Sequence, residues 1–130
     1  IPNEVLNKKG PLNKEEVQII QKYSFYGYEI VGQIPEIDPE VKEAVLLHHE
    51  RMDGSGYPFS YVRSSIGLYA RIVAIADVFD AMTSDRVYKK GVKPEEAFRM
   101  FKTTGSDLFD GRIVEVFLKN ITYLFPKKQL

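Results

Sequence analysis

The chain's two histidines stand side by side, His48-His49, and Glu50 follows at once. Neutral imidazole is a common metal donor, and a nearby carboxylate extends the donor set. Adjacent helical positions project about 100° apart. Such a pair cannot grip one ion as an i, i+4 pair would, but it can straddle two neighbouring ions. The plain alternative is a pair of helix-terminal histidines that complement the helix dipole, since two donors alone do not make a site. A second candidate is Asp77, set in ARIVAIADVFDAM among Ile75, Ala76, Val78 and Phe79. A carboxylate buried among such neighbours is costly unless a cation or metal neutralises it. Asp80, three residues on, reads equally well as a solvent-facing acid. A third candidate is SDRVYKK, where Arg86, Lys89 and Lys90 follow Asp85. These cations either complement a helix C-terminus or clamp a phosphate, Arg as a fork and Lys as a point charge. The aromatics Tyr57, Phe59 and Tyr61 either stack on a nucleobase or pack onto the domain.

The elements that must position these groups are helical. Residues 1–12 carry two Pro and one Gly and read as an irregular lead-in. Asn13 with Glu16 forms a capping-box pattern that opens a helix over about 14–24. Gly27 and Gly32 interrupt the next apolar stretch and divide off a short helix over about 25–33. Asp38-Pro39, a capping carboxylate before Pro at the first helical position, opens the helix that ends in the histidines. RMDGSGYP at 51–58 breaks the pattern: Gly54 and Gly56 permit positive φ and Pro58 removes a donor. Residues 59–65 read as a loop. Over about 66–84, Leu68, Ile72, Ile75, Phe79 and Met82 recur at spacings of three and four, one apolar stripe of a helix. Pro94 opens a further helix closed by Gly105. Asp110 caps a last one, with Ile113, Val116, Phe117, Ile121 and Leu124 on its inner face. No segment alternates over a strand length, and the expected fold class is all-α.

Composition narrows the function. The 130 residues suit one domain, and 44% hydrophobic content suffices for a core. Eighteen basic residues balance eighteen acidic ones, so no bulk positive field draws DNA or an anionic membrane to this segment. Any phosphate binding must come from a local arrangement. Cysteine is absent, which excludes disulfides and thiolate metal sites and fits a reducing cytoplasm. The longest apolar runs fall short of the roughly 20 residues of a membrane span.

Taken together, these segments resemble one family. HHERMDGSGYP at 48–58 is similar to the HHE-x-x-DG-x-GYP signature of HD-GYP domains, bacterial metal-dependent phosphohydrolases that cleave cyclic di-GMP. IVAIADVFDAMTSDRVYKK at 72–90 resembles a second block of that family, KPEEAFRMFKTTGSDLFDGRIVEVF at 93–117 its C-terminal helices, and VLNKKGPL at 5–12 its lead-in. The resemblance implies an HD-domain-like helical bundle, with 1–130 as a single, partial domain whose N-terminal helices are missing. It implies a centre of two or three iron or manganese ions around a water-derived nucleophile, which neutralises charge developing on a phosphodiester. Carried over by position, His48, His49 and Asp77 correspond to metal ligands. Tyr57, Arg86 and Lys89 correspond to substrate contacts. Glu50, Asp53, Gly54, Gly56 and Pro58 shape the loop and support the ligands.

Two departures accompany the resemblance. The HD-x-G-K block, with two metal ligands and the catalytic lysine, belongs ahead of Ile1. Tyr23-Ser24 stands where the family has a metal-binding His-Pro before Gly27-Tyr28-Glu29, and Tyr poorly replaces neutral imidazole. The expectation is therefore a cyclic di-GMP phosphodiesterase domain of a bacterial cytoplasmic signalling protein. Its partners would be a cyclic dinucleotide and a regulatory domain in the parent chain, with self-association through uncovered apolar faces. Alone, the segment is expected to bind metal weakly or not at all and to be inactive. The alternative is a degenerate nucleotide-binding or protein-interaction module without catalysis. A general HD-superfamily nucleotide phosphohydrolase fits less well, because it has no need of the DGSGYP loop.

Overall fold

In the computed structural model, residues 10–85 and 89–124 are described. Helix α1 spans Lys14–Gly32, α2 Pro39–Leu47, α3 Leu68–Thr83, α4 Pro94–Thr103, α5 Gly105–Leu108 and α6 Gly111–Leu124, with a 3₁₀ turn at Arg63–Ser65. Asp53 and Val62 form an isolated antiparallel bridge. The fold is all-α.

The capping box forms as its spacing predicts. Glu16 N donates to Asn13 Oδ1 at 2.8 Å, and Asn13 N donates to Glu16 Oε1 at 3.0 Å. The break expected near residue 25 does not occur, and α1 continues through Gly27 to Gly32. At Gly27 the helix passes close to α2, where an added Cβ would lie 3.1 Å from Val45 Cγ1. Packing outweighs the roughly 1 kcal/mol propensity penalty of a helical glycine. Pro39 begins α2 as expected, but the Asp38 side chain makes no capping hydrogen bond. Gly105 does not close α4; it starts the short α5 after Thr104.

Two apolar clusters organise the molecule. Ala44, Leu47, Met52, Ile66 and Ala70 join α2, the loop after it and the start of α3. Phe79, Phe98, Phe101, Phe109 and Val114, with Ala74, Ile75 and Ala97, join α3 to α4 and α6. The stripe expected on α3 is only partly its buried face: Ile75 and Phe79 are buried, whereas Leu68 and Ile72 are 51% and 45% exposed. Ala70 and Ala74 take the core positions instead, because small side chains let α3 approach its neighbours. On α6, Ile113, Phe117 and Ile121 pack inward with Val114, and Val116 faces solvent. The Leu124 side chain lies outside the described residues.

Candidate metal centre and its loop

Helix α2 stops at Leu47, and His48 is its C-cap. His48 keeps an αR backbone, φ −69° and ψ −10°, and the two imidazole rings lie 4.0 Å apart at 41°. His48 Nδ1 lies 2.9 Å from Ala44 O and 3.1 Å from Val45 O. A carbonyl only accepts, so Nδ1 carries the hydrogen and Nε2 keeps its lone pair. His49 is half-buried; burial, then the neighbouring His48, pushes its pKa down to about 4, although Asp77 acts in the opposite sense. It is neutral at pH 7, the form that donates to a metal. Tyr57 stacks on the His49 ring at 4.8 Å and 19°, and burial pushes its phenol above the ordinary value.

Asp77 comes from the middle of α3. One donor atom from each of His48, His49 and Asp77 lies within 4.8 Å of the others. Asp77 is exposed, so the argument that its carboxylate is costly to bury fails. What distinguishes it is convergence on the two histidines. Asp80 is also exposed, accepts from Ser84 Oγ at 3.2 Å, and fits the solvent-facing reading. Two imidazoles and a carboxylate form a donor set that suits iron or manganese, so these residues fit the ions that the resemblance implies. The spacing is compatible with ligation of one ion or of two neighbours.

The loop after the histidines is held from inside. Glu50 is 2% exposed; its Oε1 accepts from Phe59 N at 2.6 Å and its Oε2 from Tyr61 N at 2.9 Å. Asp53 accepts from Ser55 N and Ser55 Oγ at 2.9 and 2.6 Å, and the serine bonds hold its carboxyl below the usual range. Gly54 has φ 85°, and Tyr57-Pro58 is cis. Gly56 is not at positive φ. Its requirement is closeness, because a Cβ there would overlap the His49 carbonyl oxygen and lie 2.6 Å from Arg51 N. Phe59 stacks on Tyr61 and meets Phe25 of α1 edge-on at 5.4 Å, and both aromatics remain exposed.

Sequence reasoning missed Arg51. Its Nη1 donates to Glu50 O at 2.9 Å and His48 O at 3.2 Å, and its guanidinium lies 5.1 Å from the centre of the Phe109 ring. Burial lowers its pKa, against the pull of Tyr57, Asp77, Asp53 and Glu50. Only the x-x of the motif marked this position, and its partner Phe109 is remote in sequence.

Past Asp77, α3 ends at Thr83 and Ser84 leaves the helix at φ −90°, ψ 143°. Asp77 and Arg86 are about two and a half helical turns apart, and a return of Arg86 toward the cluster requires a helix end near Ser84 followed by a turn of the chain; the helix end is present. Arg86 itself lies outside the described residues. Lys89 is exposed, as is Lys90. Asp85 Oδ1 accepts from Gly91 N at 2.8 Å. Tyr23 is 37% exposed and meets Tyr26 edge-on at 5.4 Å; it is not part of the donor cluster. Ser24 beside it is buried, and among the described residues its hydroxyl has no hydrogen-bond partner.

The sequence matches the HD domain family over residues 1–113. The chain belongs to that family. The HHERMDGSGYP loop identifies the HD domain as one of the HD-GYP type. It is 40% identical over 123 residues to a cyclic di-GMP phosphodiesterase of Thermotoga maritima, covering 92% of this chain and 33% of that protein. It is also 40% identical over 120 residues to the cyclic di-GMP phosphodiesterase response regulator RpfG of Xanthomonas campestris pv. campestris, covering 92% and 32%. A 3'3'-cGAMP-specific phosphodiesterase 2 of Vibrio cholerae is 37% identical over 121 residues, with 92% and 23% covered. The HD domain described here thus spans a third or less of the length of these relatives. Among the described residues, no helix is long and apolar enough to cross a membrane.

Proposed function

We propose that this HD domain forms part of a metal-dependent phosphodiesterase that opens a cyclic dinucleotide, with cyclic di-GMP as the preferred substrate. The observation that carries the reading is the meeting of His48, His49 and Asp77 beside Tyr57, in a chain whose relatives bear phosphodiesterase names. His48, His49 and Asp77 would hold part of a centre of two or three iron or manganese ions. When bound, such ions polarise a phosphodiester and generate a nucleophile from water. The residues of this chain do the positioning. The Ala44 carbonyl fixes the His48 tautomer, Arg51 holds the backbone between the two histidines and Glu50, and Tyr57 covers His49. Arg86 and Lys89 would receive the phosphates, since guanidinium and ammonium groups supply charge-assisted donors.

Among the described residues three donors converge, too few to fill the coordination spheres of two ions, so residues 1–130 alone would bind metal weakly and turn over no substrate. A second reading, a nucleotide-binding or protein-interaction module without catalysis, is favoured by Tyr23 at the His position of the family. The full-length protein, loaded with iron or manganese, decides between them by chromatography of cyclic di-GMP and 3'3'-cGAMP digests. Turnover is expected for wild type, with a loss of 100-fold or more, estimated as about 3 kcal/mol, and depleted metal in His49→Ala and Asp77→Asn. Wild-type metal content and rate in both variants would overturn the assignment. Tight dinucleotide binding without turnover in metal-loaded wild type would establish the second reading.

A further inference from the structure

A concave pocket of about 630 Å³ opens where the base of the loop meets the start of α6. None of the three metal-cluster residues lines it. Its wall carries three guanidinium groups, Arg63, Arg71 and Arg112, against the carboxylates of Asp110 and Glu115, which leaves positive charge in surplus.

These charges are not equally available. Arg71 Nη1 lies 2.6 Å from Asp110 Oδ2, and both side chains are largely buried. Asp110 Oδ1 accepts from Arg112 N at 3.0 Å, so the carboxylate itself caps α6 and the helix terminus is not the attraction. The guanidinium of Arg112 remains open: its side chain is 88% exposed and its Nε is 3.7 Å from Asp110, too far for a hydrogen bond. Arg63 is exposed and, among the described residues, its side chain has no hydrogen-bond or ion-pair partner. Its backbone is fixed, because Arg63 N donates to Met52 O at 3.2 Å next to the Asp53–Val62 bridge. Met52 and Ile66, both buried, provide an apolar floor.

We propose that this pocket binds a small sugar phosphate or nucleotide through its phosphate monoester. Arg63 and Arg112 would fork the phosphate, and Glu115 would accept from the sugar hydroxyls. Planar guanidinium groups match phosphate oxygens in pairs, and the volume lies in the range of small-molecule sites. A metal ion is disfavoured, since three cations face two acids and one of those acids is already paired. The site stands apart from the phosphodiesterase reading and does not depend on it.

The test uses the full-length protein carrying His49→Ala, which disables the metal cluster, with ribose 5-phosphate and 5′-GMP as probes. Calorimetry is expected to show saturable binding of at least one probe, weakened ten-fold or more by Arg63→Gln with Arg112→Gln. Both side chains are exposed, so the substitutions leave the packing intact. As a check independent of substitution at the pocket, the Nε–Hε resonances of Arg63 and Arg112 shift on addition of the bound probe. No saturable binding of either probe, or equal affinity after both arginines are replaced, would overturn the proposal.

Discussion

With its carboxylate sealed from solvent, Glu50 gives one oxygen to each of two backbone amides, Phe59 N and Tyr61 N. Removing the acceptor strands both donors in a part-buried site, at up to about 1–3 kcal/mol for each unsatisfied group. Glu50→Ala should therefore lower the unfolding free energy by about 2–4 kcal/mol, and Glu50→Gln, which retains one acceptor oxygen, by about half of that. Urea denaturation followed by circular dichroism measures both, and equal losses would show that the two amides do not depend on separate oxygens. The motif indicates that Glu50 shapes the loop, but not which amides it meets, because Phe59 and Tyr61 lie on the returning arm. Arg51 was less legible still. Its donors reach the carbonyls of His48 and Glu50 while its cation rests over Phe109, and a sequence shows no contact between positions so far apart. His48, His49 and Asp77 were legible as candidates from residue type and resemblance, but the argument from burial was wrong for an exposed Asp77.

At the scale of elements, glycine spacing around the loop carries distinct demands. At Gly56 a Cβ would meet the backbone of His49, Glu50 and Arg51, atoms that cannot rotate away. Gly56→Ala should cost about 2–3 kcal/mol by forced displacement of that backbone, and the same displacement should weaken metal binding in the full-length protein. Gly54→Ala should cost about 1–2 kcal/mol from its φ of 85°. Gly32, at the end of α1, has open space around it, and Gly32→Ala should raise stability by up to about 1 kcal/mol. Thermal unfolding of the three variants ranks them, and Gly56→Ala as stable as wild type would refute the close-approach argument. The same elements show where sequence periodicity falls short. The spacing of large apolar residues on α3 predicts an inner face that includes Leu68 and Ile72, yet alanines at 70 and 74 occupy the core while those two face out. The α1 break failed for a related reason: tertiary packing against Val45 overrode the propensity of Gly27.

At the scale of the molecule, α3 belongs to both apolar clusters, so the spacing between the α2 histidines and Asp77 depends on how the two halves are joined. Met52 N donates to Leu108 O at 2.8 Å across this junction. Beside it, Arg71 of α3 pairs with Asp110 at the start of α6. Burial alone would raise the Asp110 carboxyl, but the Arg112 amide and the Arg71 hydrogen bond outweigh it and hold it below the ordinary carboxylate range. A carboxyl depressed on folding stabilises the fold above its unfolded value, about 3.9, and that contribution is lost as pH falls through the lower folded value. Asp110→Asn keeps an oxygen to accept from Arg112 N while removing the charge that faces Arg71. At pH 7 the variant should be less stable by about 1.5–3 kcal/mol, the worth of a charge-assisted hydrogen bond at a largely buried pair. The gap should narrow as pH falls below about 4, where wild type loses the same charge by protonation. Urea unfolding of both proteins across that range provides the check. A difference between them that stays constant with pH would mean that Asp110 stabilises the junction by shape and capping rather than by its charge.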